Sequence, residues 1–127
     1  MTVQELRKNN TMAHILDALE DGKDIGHYGR LTFAMVGQYF ADEEEIVSCL
    51  QQDKDFSEEE ARSLYTQVTS KQYSPPSRES ILDWQSQQDF QICPNPDDPD
   101  AGNVYQDLNF PERVYESISS YNNKKQD

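Results

Sequence analysis

Cysteine is scarce in this sequence: only Cys49 and Cys93 occur among its 127 residues. Their number and wide separation argue against a disulfide framework or a local metal-binding hairpin, so a reducing, cytoplasmic location is expected. The sequence also lacks a run of about 18 apolar residues, so no transmembrane helix and no membrane partner are expected. Because the first residues lack an apolar core, no secretory signal is expected either.

Basic residues are also few. The chain has 11 Lys and Arg residues against 24 Asp and Glu residues, which gives a formal net charge of -13. The acids concentrate in residues 42–60 and 97–107. An acidic surface repels phosphate backbones and membranes. Two interpretations stay open: the charge serves solubility, or it attracts a partner with a basic surface.

The common catalytic motifs are missing as well. The sequence has no phosphate-binding Walker loop, no dinucleotide-binding fingerprint and no nucleophile elbow. Its two histidines, His14 and His27, leave few choices for a general base. We therefore expect a noncatalytic binding domain rather than an enzyme.

The apolar residues recur at helical spacing, and no segment has the two-residue period of a strand. This pattern predicts an all-α protein, a compact bundle of about five to six helices with a Pro-rich C-terminal loop segment. Leu31 to Phe40 is apolar on most sides, which predicts a central and mostly buried helix.

Capping residues predict where the other helices begin. Asp42 with Glu45, and Ser57 with Glu60, each fit a capping box. Gly22 is placed to end the first helix. The remaining predicted starts are Thr11, Ser77 and Pro111.

These signals predict one domain. Residues 1–10 are polar and are expected to be a flexible lead-in, residues 11–121 a single helical domain, and residues 122–127 a disordered tail. The stretch ICPNPDDPDAGN, residues 92–103, holds three prolines and one glycine and is expected to be a loop or linker.

The segment HYGR, residues 27–30, is the first candidate site. His27 and Arg30 flank a predicted loop-to-helix junction, where free backbone N–H groups and a nearby Arg favour an anion. In the alternative, Arg30 pairs with Asp21 or Asp24, and His27 only packs.

Two further sets of residues have a functional and a structural interpretation. Cys93 is either a metal ligand or nucleophile, or a small buried apolar residue. Tyr73, Trp84 and Phe90 either stack on bases, as in single-strand binders, or pack in the core.

Four sequence blocks in this order, GKDIGHYGRLTFAMV, ADEEEIVSCLQQDKDFSEEEARSLYTQV, KQYSPPSRESI and QICPNP, carry a family resemblance. Together they resemble the C-terminal iron–sulfur domain of the archaeal and eukaryotic-type DNA primase large subunit. The resemblance covers about two-thirds of the chain, roughly residues 10–95.

In that family four cysteines hold a 4Fe–4S cluster. The resemblance places the first of these positions near Asn10 to Met12, the second at Arg78, the third at Cys93 and the fourth near Gly102. One cysteine in four does not hold such a cluster within one chain. No cluster and no metal are expected, and Cys93 is interpreted as a remnant of a lost ligand.

The resemblance also implies a function. The family's domain lacks the polymerase carboxylates and helps to hold the initiating nucleotide or the primer–template end. The matching nucleotide-binding residues here are His27 and Arg30, with Arg78 as a further cation. The implied partners are a primase catalytic subunit and single-stranded DNA or nucleotide. The alternative is an acidic protein–protein adaptor that uses residues 42–68 against a basic partner and has no nucleic-acid role.

Overall fold

The computed structural model describes residues 3–71, 73–98, 103–112 and 114–115. This part of the chain contains six α-helices and one 3₁₀ helix, joined by loops. They share one apolar core, and the predicted all-α bundle of five to six helices is confirmed. Within these ranges no helix combines the length and apolar character that crossing a membrane requires. The elements are the N-terminal 3₁₀ helix Val3–Lys8, α1 Asn10–Glu20, α2 Gly26–Gly37, α3 Glu43–Leu50, α4 Glu58–Ser70, α5 Arg78–Gln85 and α6 Val104–Asp107.

Helix α2 is the central helix, and it contacts α1, α3, α4 and α5. Its residues from Thr32 to Gly37 are all buried, as the apolar stretch from Leu31 to Phe40 predicts. Gly37 allows a close approach to α3, since a Cβ at this position would lie 2.6 Å from the Cδ1 atom of Ile46. Even an alanine side chain there would press on Ile46, which is fully buried.

The predicted N-caps at Asp42, Ser57 and Ser77 are confirmed. Each side chain accepts a hydrogen bond from the backbone N–H three residues later, which satisfies a donor that the helix leaves unpaired. At Ser57 the capping box is complete, because the Glu60 carboxylate accepts the Ser57 N–H at 3.1 Å. These local signals fix the start of three helices.

The structure corrects the prediction of a flexible lead-in for the part of residues 1–10 that it describes, residues 3–10. Val3–Lys8 forms a 3₁₀ helix against α1, and its Val3 and Leu6 side chains are buried in the core. The Val3 N–H also donates to the Glu45 carboxylate of α3 at 3.0 Å. Residues three apart lie on the same side of a 3₁₀ helix, so this short polar segment still presents an apolar face.

Helix α1 begins earlier than predicted, because Asn9 rather than Thr11 is its N-cap. The Asn9 Oδ1 atom accepts the Met12 N–H at 3.0 Å, and Nδ2 donates to the Asp107 carboxylate at 3.1 Å. Thr11 is buried instead, and its hydroxyl has no hydrogen-bond partner within the described part of the chain. The predicted role of Gly22 is confirmed, since this residue follows α1 with a φ of 71°.

Helix α2 also begins earlier than predicted, at Gly26 rather than near the apolar stretch from Leu31 to Phe40, so the segment before Leu31, which holds Gly26 and Gly29, is helical as well. Gly26 has a φ of +75°, and a Cβ there would lie 2.5 Å from the Oε1 atom of Gln88, so any other residue would be strained and would displace the Gln88 amide. Tertiary contacts therefore override the low helix propensity of this segment. As a result, His27 and Arg30 both lie within the first two turns of α2.

The C-terminal segment contains one helix that was not predicted. Helix α6 is short and is capped by the Asn103 side chain. Phe110 beyond it packs edge-on against Tyr39 and Phe40, in the turn that follows α2. The predicted helix at Pro111 is described only in part. The predicted tail, residues 122–127, lies outside the described residues.

Leu6→Ala tests the role of the N-terminal 3₁₀ helix. Leu6 is fully buried, so the variant is expected to lose about 2–5 kcal/mol of unfolding free energy. Glu5→Ala changes an exposed neighbour in the same helix and is expected to stay within about 0.5 kcal/mol of wild type. Urea denaturation followed by circular dichroism measures both values. Equal stabilities of the two variants would contradict the packing described above.

Candidate functional site

A groove between α2 and α4 brings two of the predicted site residues together. Its volume is about 400 Å³. We call it the α2–α4 groove, and its lining residues are His27 and Arg30 from α2, Phe56 from the loop before α4, and Glu59, Glu60, Ser63, Leu64 and Gln67 from α4. Both the predicted cation and the predicted histidine of HYGR therefore face the same concave surface.

Arg30 is held in place by the carboxylates of Asp53 and Asp24. Its Nη1 atom donates to Asp53 Oδ2 at 2.9 Å and lies 3.3 Å from Asp24 Oδ1. The guanidinium also lies over the Phe56 ring, 4.5 Å from its centroid, which is a favourable cation–π distance. The alternative pairing with Asp24 is thus present, while the stronger partner, Asp53, was not predicted.

Asp53 is the buried anchor of this arrangement. Its side chain is 0% exposed, and its Oδ2 atom accepts the Ile25 N–H at 3.0 Å in addition to Arg30. Its Oδ1 atom accepts the Asp55 N–H at 2.9 Å. A buried carboxylate is strongly unfavourable unless it is paired and hydrogen-bonded. These three donors meet that requirement and join the loop before α2 to the loop before α4.

Asp24 and Asp55 form a carboxyl pair at the edge of the same cluster. The pKa of Asp24 is lowered, mainly by the Gly26 backbone N–H and then by the Asp55 carboxyl. The pKa of Asp55 is raised, mainly because it shares a hydrogen bond with Asp24. As the pH falls, Asp55 therefore takes up a proton first, and Asp24 stays charged opposite Arg30.

The N-terminus of α2 is largely occupied by acceptors from the protein itself. The Gly26 N–H donates to Asp24 Oδ1 at 2.9 Å, and the Tyr28 N–H donates to Gln88 Oε1 at 2.9 Å. The Gln88 Nε2 atom donates in turn to the Ile25 carbonyl at 3.0 Å. No local sequence signal indicates this contact, because Gln88 is 60 residues from Tyr28. An anion at this helix end has fewer free backbone donors than the sequence suggests.

Arg78 lies apart from the other two predicted residues and does not line the α2–α4 groove. From the first turn of α5, its Nη2 atom donates to the Pro96 carbonyl at 2.8 Å and to the Asp98 carbonyl at 3.1 Å. Arg78 therefore holds the Pro-rich loop against α5. The three predicted cationic or histidine residues do not form one patch.

Cys93, the position that the resemblance matches to the third cluster ligand, is a residue of the protein core. It is fully buried in the apolar core, and its N–H donates to Gln85 Oε1 at 2.7 Å. The position matched to a second ligand holds Arg78, whose guanidinium does not bind iron. In the ranges that the structure describes, no group of three or more His, Cys, Asp or Glu residues is arranged to hold a metal. The position near Gly102 lies outside those ranges.

Comparisons with known proteins do not identify a relative of this chain. No protein-family model, no curated protein and no solved structure matches the chain. The resemblance to the primase large-subunit domain is therefore carried by the motifs alone and stays a prediction.

Asp53→Ala tests the anchoring role of the buried carboxylate. Removing it leaves the buried Ile25 N–H without its acceptor and Arg30 with the longer Asp24 contact, so the expected loss of unfolding free energy is about 1–3 kcal/mol. Asp24→Ala removes a carboxylate that is 41% exposed, and the expected loss is about 0–1 kcal/mol. Urea denaturation gives both values, and a similar cost for the two variants would show that Asp53 is not the anchor.

Thiol reactivity tests the state of the two cysteines. Burial, with Glu45 and Glu20 nearby, raises the pKa of Cys49 to about 11, and Cys93 is fully buried. At about pH 8.5, where an unperturbed thiol is half ionised, we expect Ellman's reagent to react with neither thiol within minutes. In denaturant both free thiols of each chain react. The Cys93→Ala variant isolates Cys49. A thiol that reacts rapidly in native wild type but not in Cys93→Ala would contradict the burial of Cys93.

Proposed function

We propose that this chain is a noncatalytic binding domain and that its ligand occupies the α2–α4 groove. The observation that carries the proposal is the meeting of His27 and Arg30 in one concave surface. The resemblance assigns these two positions to the initiating nucleotide or the primer–template end. On this proposal a separate primase catalytic subunit in the cytoplasm makes the bonds, and the domain supplies a binding surface without a cluster.

Arg30 offers a ligand hydrogen-bond donors in a fixed orientation rather than a net positive charge. Its charge is balanced by Asp53 and Asp24 through the Nη1 atom, while its other guanidinium nitrogens donate to no residue in the described ranges. A fixed guanidinium is suited to a planar or phosphate acceptor. His27 is exposed at the rim and adds a second polar group. This pair supports a nucleotide phosphate as the ligand group.

The opposite wall of the groove limits the strength of a phosphate contact. Glu59 and Glu60 of α4 line it, and the whole chain carries a charge of -13. Like charges repel, so an isolated phosphate is expected to bind weakly and with a strong dependence on salt. A nucleotide gains affinity only if its base or sugar also contacts the protein.

Nucleotide titration tests the proposal. Labelled GTP and a single-stranded oligonucleotide are titrated at low and at physiological salt, with fluorescence anisotropy as the readout. His27→Ala removes a hydrogen-bonding group of about 1 kcal/mol and is expected to weaken binding roughly fivefold. The variant is expected to fold normally because His27 is exposed.

The same titration includes a second test variant, Arg30→Lys, and a control variant, Lys8→Ala. Arg30→Lys keeps the charge opposite Asp53 but loses the planar fork, so binding is expected to weaken while the fold is retained. Lys8→Ala removes an exposed cation of the N-terminal 3₁₀ helix outside the groove and is expected to change binding little. Absence of binding at low salt, or equal losses in Lys8→Ala and His27→Ala, would overturn the proposal.

The acidic adaptor is the alternative, and the internal contacts of its glutamates weaken it. Arg62 of α4 contacts Glu43, Glu44 and Glu58 at 2.7, 3.1 and 2.9 Å. Glu45 accepts the Val3 N–H, and Glu60 completes its capping box. Most of these carboxylates therefore join parts of the chain to one another. A basic protein captured by wild type, and lost on Glu59→Gln but not on His27→Ala, would favour the adaptor.

A further inference from the structure

Three rings form a continuous row around the first turn of α2, and we call them the aromatic row. The His27 and Tyr28 ring centroids are 5.2 Å apart with an edge-to-face angle of 69°. The Tyr28 and Trp84 rings are stacked, with centroids 5.5 Å apart and planes inclined by 12°. The row runs from the α2–α4 groove, which His27 lines, to α5, which carries Trp84.

The stacked pair differs from the aromatic residues of the core. Phe33 and Phe40 are buried, whereas Tyr28 and Trp84 are only partly buried at the edge of the core. The Tyr28 hydroxyl donates to the Gln87 side chain at 3.4 Å, a long bond on the exposed side. Neither ring lines the α2–α4 groove, and the edge-to-face contact with His27 connects the pair to it. Two parallel rings that keep solvent-accessible surface are suited to receive a third flat ring.

We propose that the Tyr28–Trp84 pair stacks on the nucleobase of a nucleoside triphosphate whose phosphates contact His27 and Arg30. This inference rests on the proposed function and names the part of the ligand that the phosphate contacts leave unexplained. Stacking uses the π-face that every base presents, so it needs no cationic surface. It therefore suits a chain with a charge of -13, in which the phosphate contacts alone are weak.

Trp84 is the single tryptophan of the chain, so its fluorescence reports directly on the proposed contact. Wild-type protein is titrated with GTP and, separately, with inorganic tripolyphosphate, while calorimetry measures occupancy. We expect GTP to quench Trp84 emission in proportion to occupancy. Tripolyphosphate is expected to bind at least tenfold more weakly and to leave the emission unchanged, because it has no base to stack.

A pair of leucine variants separates stacking from general packing. Tyr28→Leu removes one ring of the stacked pair and is expected to weaken GTP binding roughly tenfold or more, without changing tripolyphosphate binding. Tyr65→Leu removes a partly buried ring of α4 that belongs neither to the groove lining nor to the aromatic row, and GTP affinity is expected to stay as in wild type. Circular dichroism and thermal unfolding check that both variants fold.

The outcomes distinguish this inference from the proposed function. If GTP binds with unchanged Trp84 emission, and tripolyphosphate binds as tightly as GTP, the stacking inference is overturned and the phosphate site stands. If neither ligand binds at low salt, both are overturned. Because the emission measurement uses wild-type protein, the result does not depend on the stability of any variant.

Discussion

The buried carboxylate of Asp53 is the interaction on which the site depends. It accepts the Ile25 N–H and the Arg30 guanidinium, so one side chain fixes both the residue before α2 and the second turn of that helix. Because an unpaired carboxylate in the core is far less favourable than a paired one, the contacts of Asp53 with Ile25 and Arg30 are expected to form or break together. The placement of HYGR at the groove is therefore a consequence of a residue that lies in a different loop.

Other arginines of this acidic chain, like Arg30, are used to join separate segments of the fold. Arg7 contacts Asp17 and Glu20 of α1 from the N-terminal 3₁₀ helix. Arg62 gathers the first turns of α3 and α4, and Arg78 holds the Pro-rich loop. Each of these arginines joins two separate segments. In a chain of such acidic composition this leaves little positive surface for polyanions, so recognition has to depend on shape, hydrogen-bond direction and aromatic contacts.

Local signals predicted the helical class and three helix starts, because a cap such as Ser57 needs only a neighbour three residues away. Long-range contacts account for what the sequence did not predict. The early start of α2 depends on Asp53 and Gln88, and the folded N-terminus depends on the packing of Leu6. For the site, the structure brings the predicted His27 and Arg30 together in one groove but places Arg78 elsewhere, and no spacing rule indicated that Asp53 neutralises Arg30.

The amide of Gln88 has a consequence for which sequences can adopt this fold. Its oxygen accepts the Tyr28 N–H, while its nitrogen donates to the carbonyls of Ile25 and Phe90. Glutamate has the same shape but no donor at neutral pH, so it would face both carbonyls with a negative charge. Although the chain is rich in Asp and Glu, an acid at position 88 is therefore incompatible with these contacts. Side-chain deamidation there would damage the fold without any change in size.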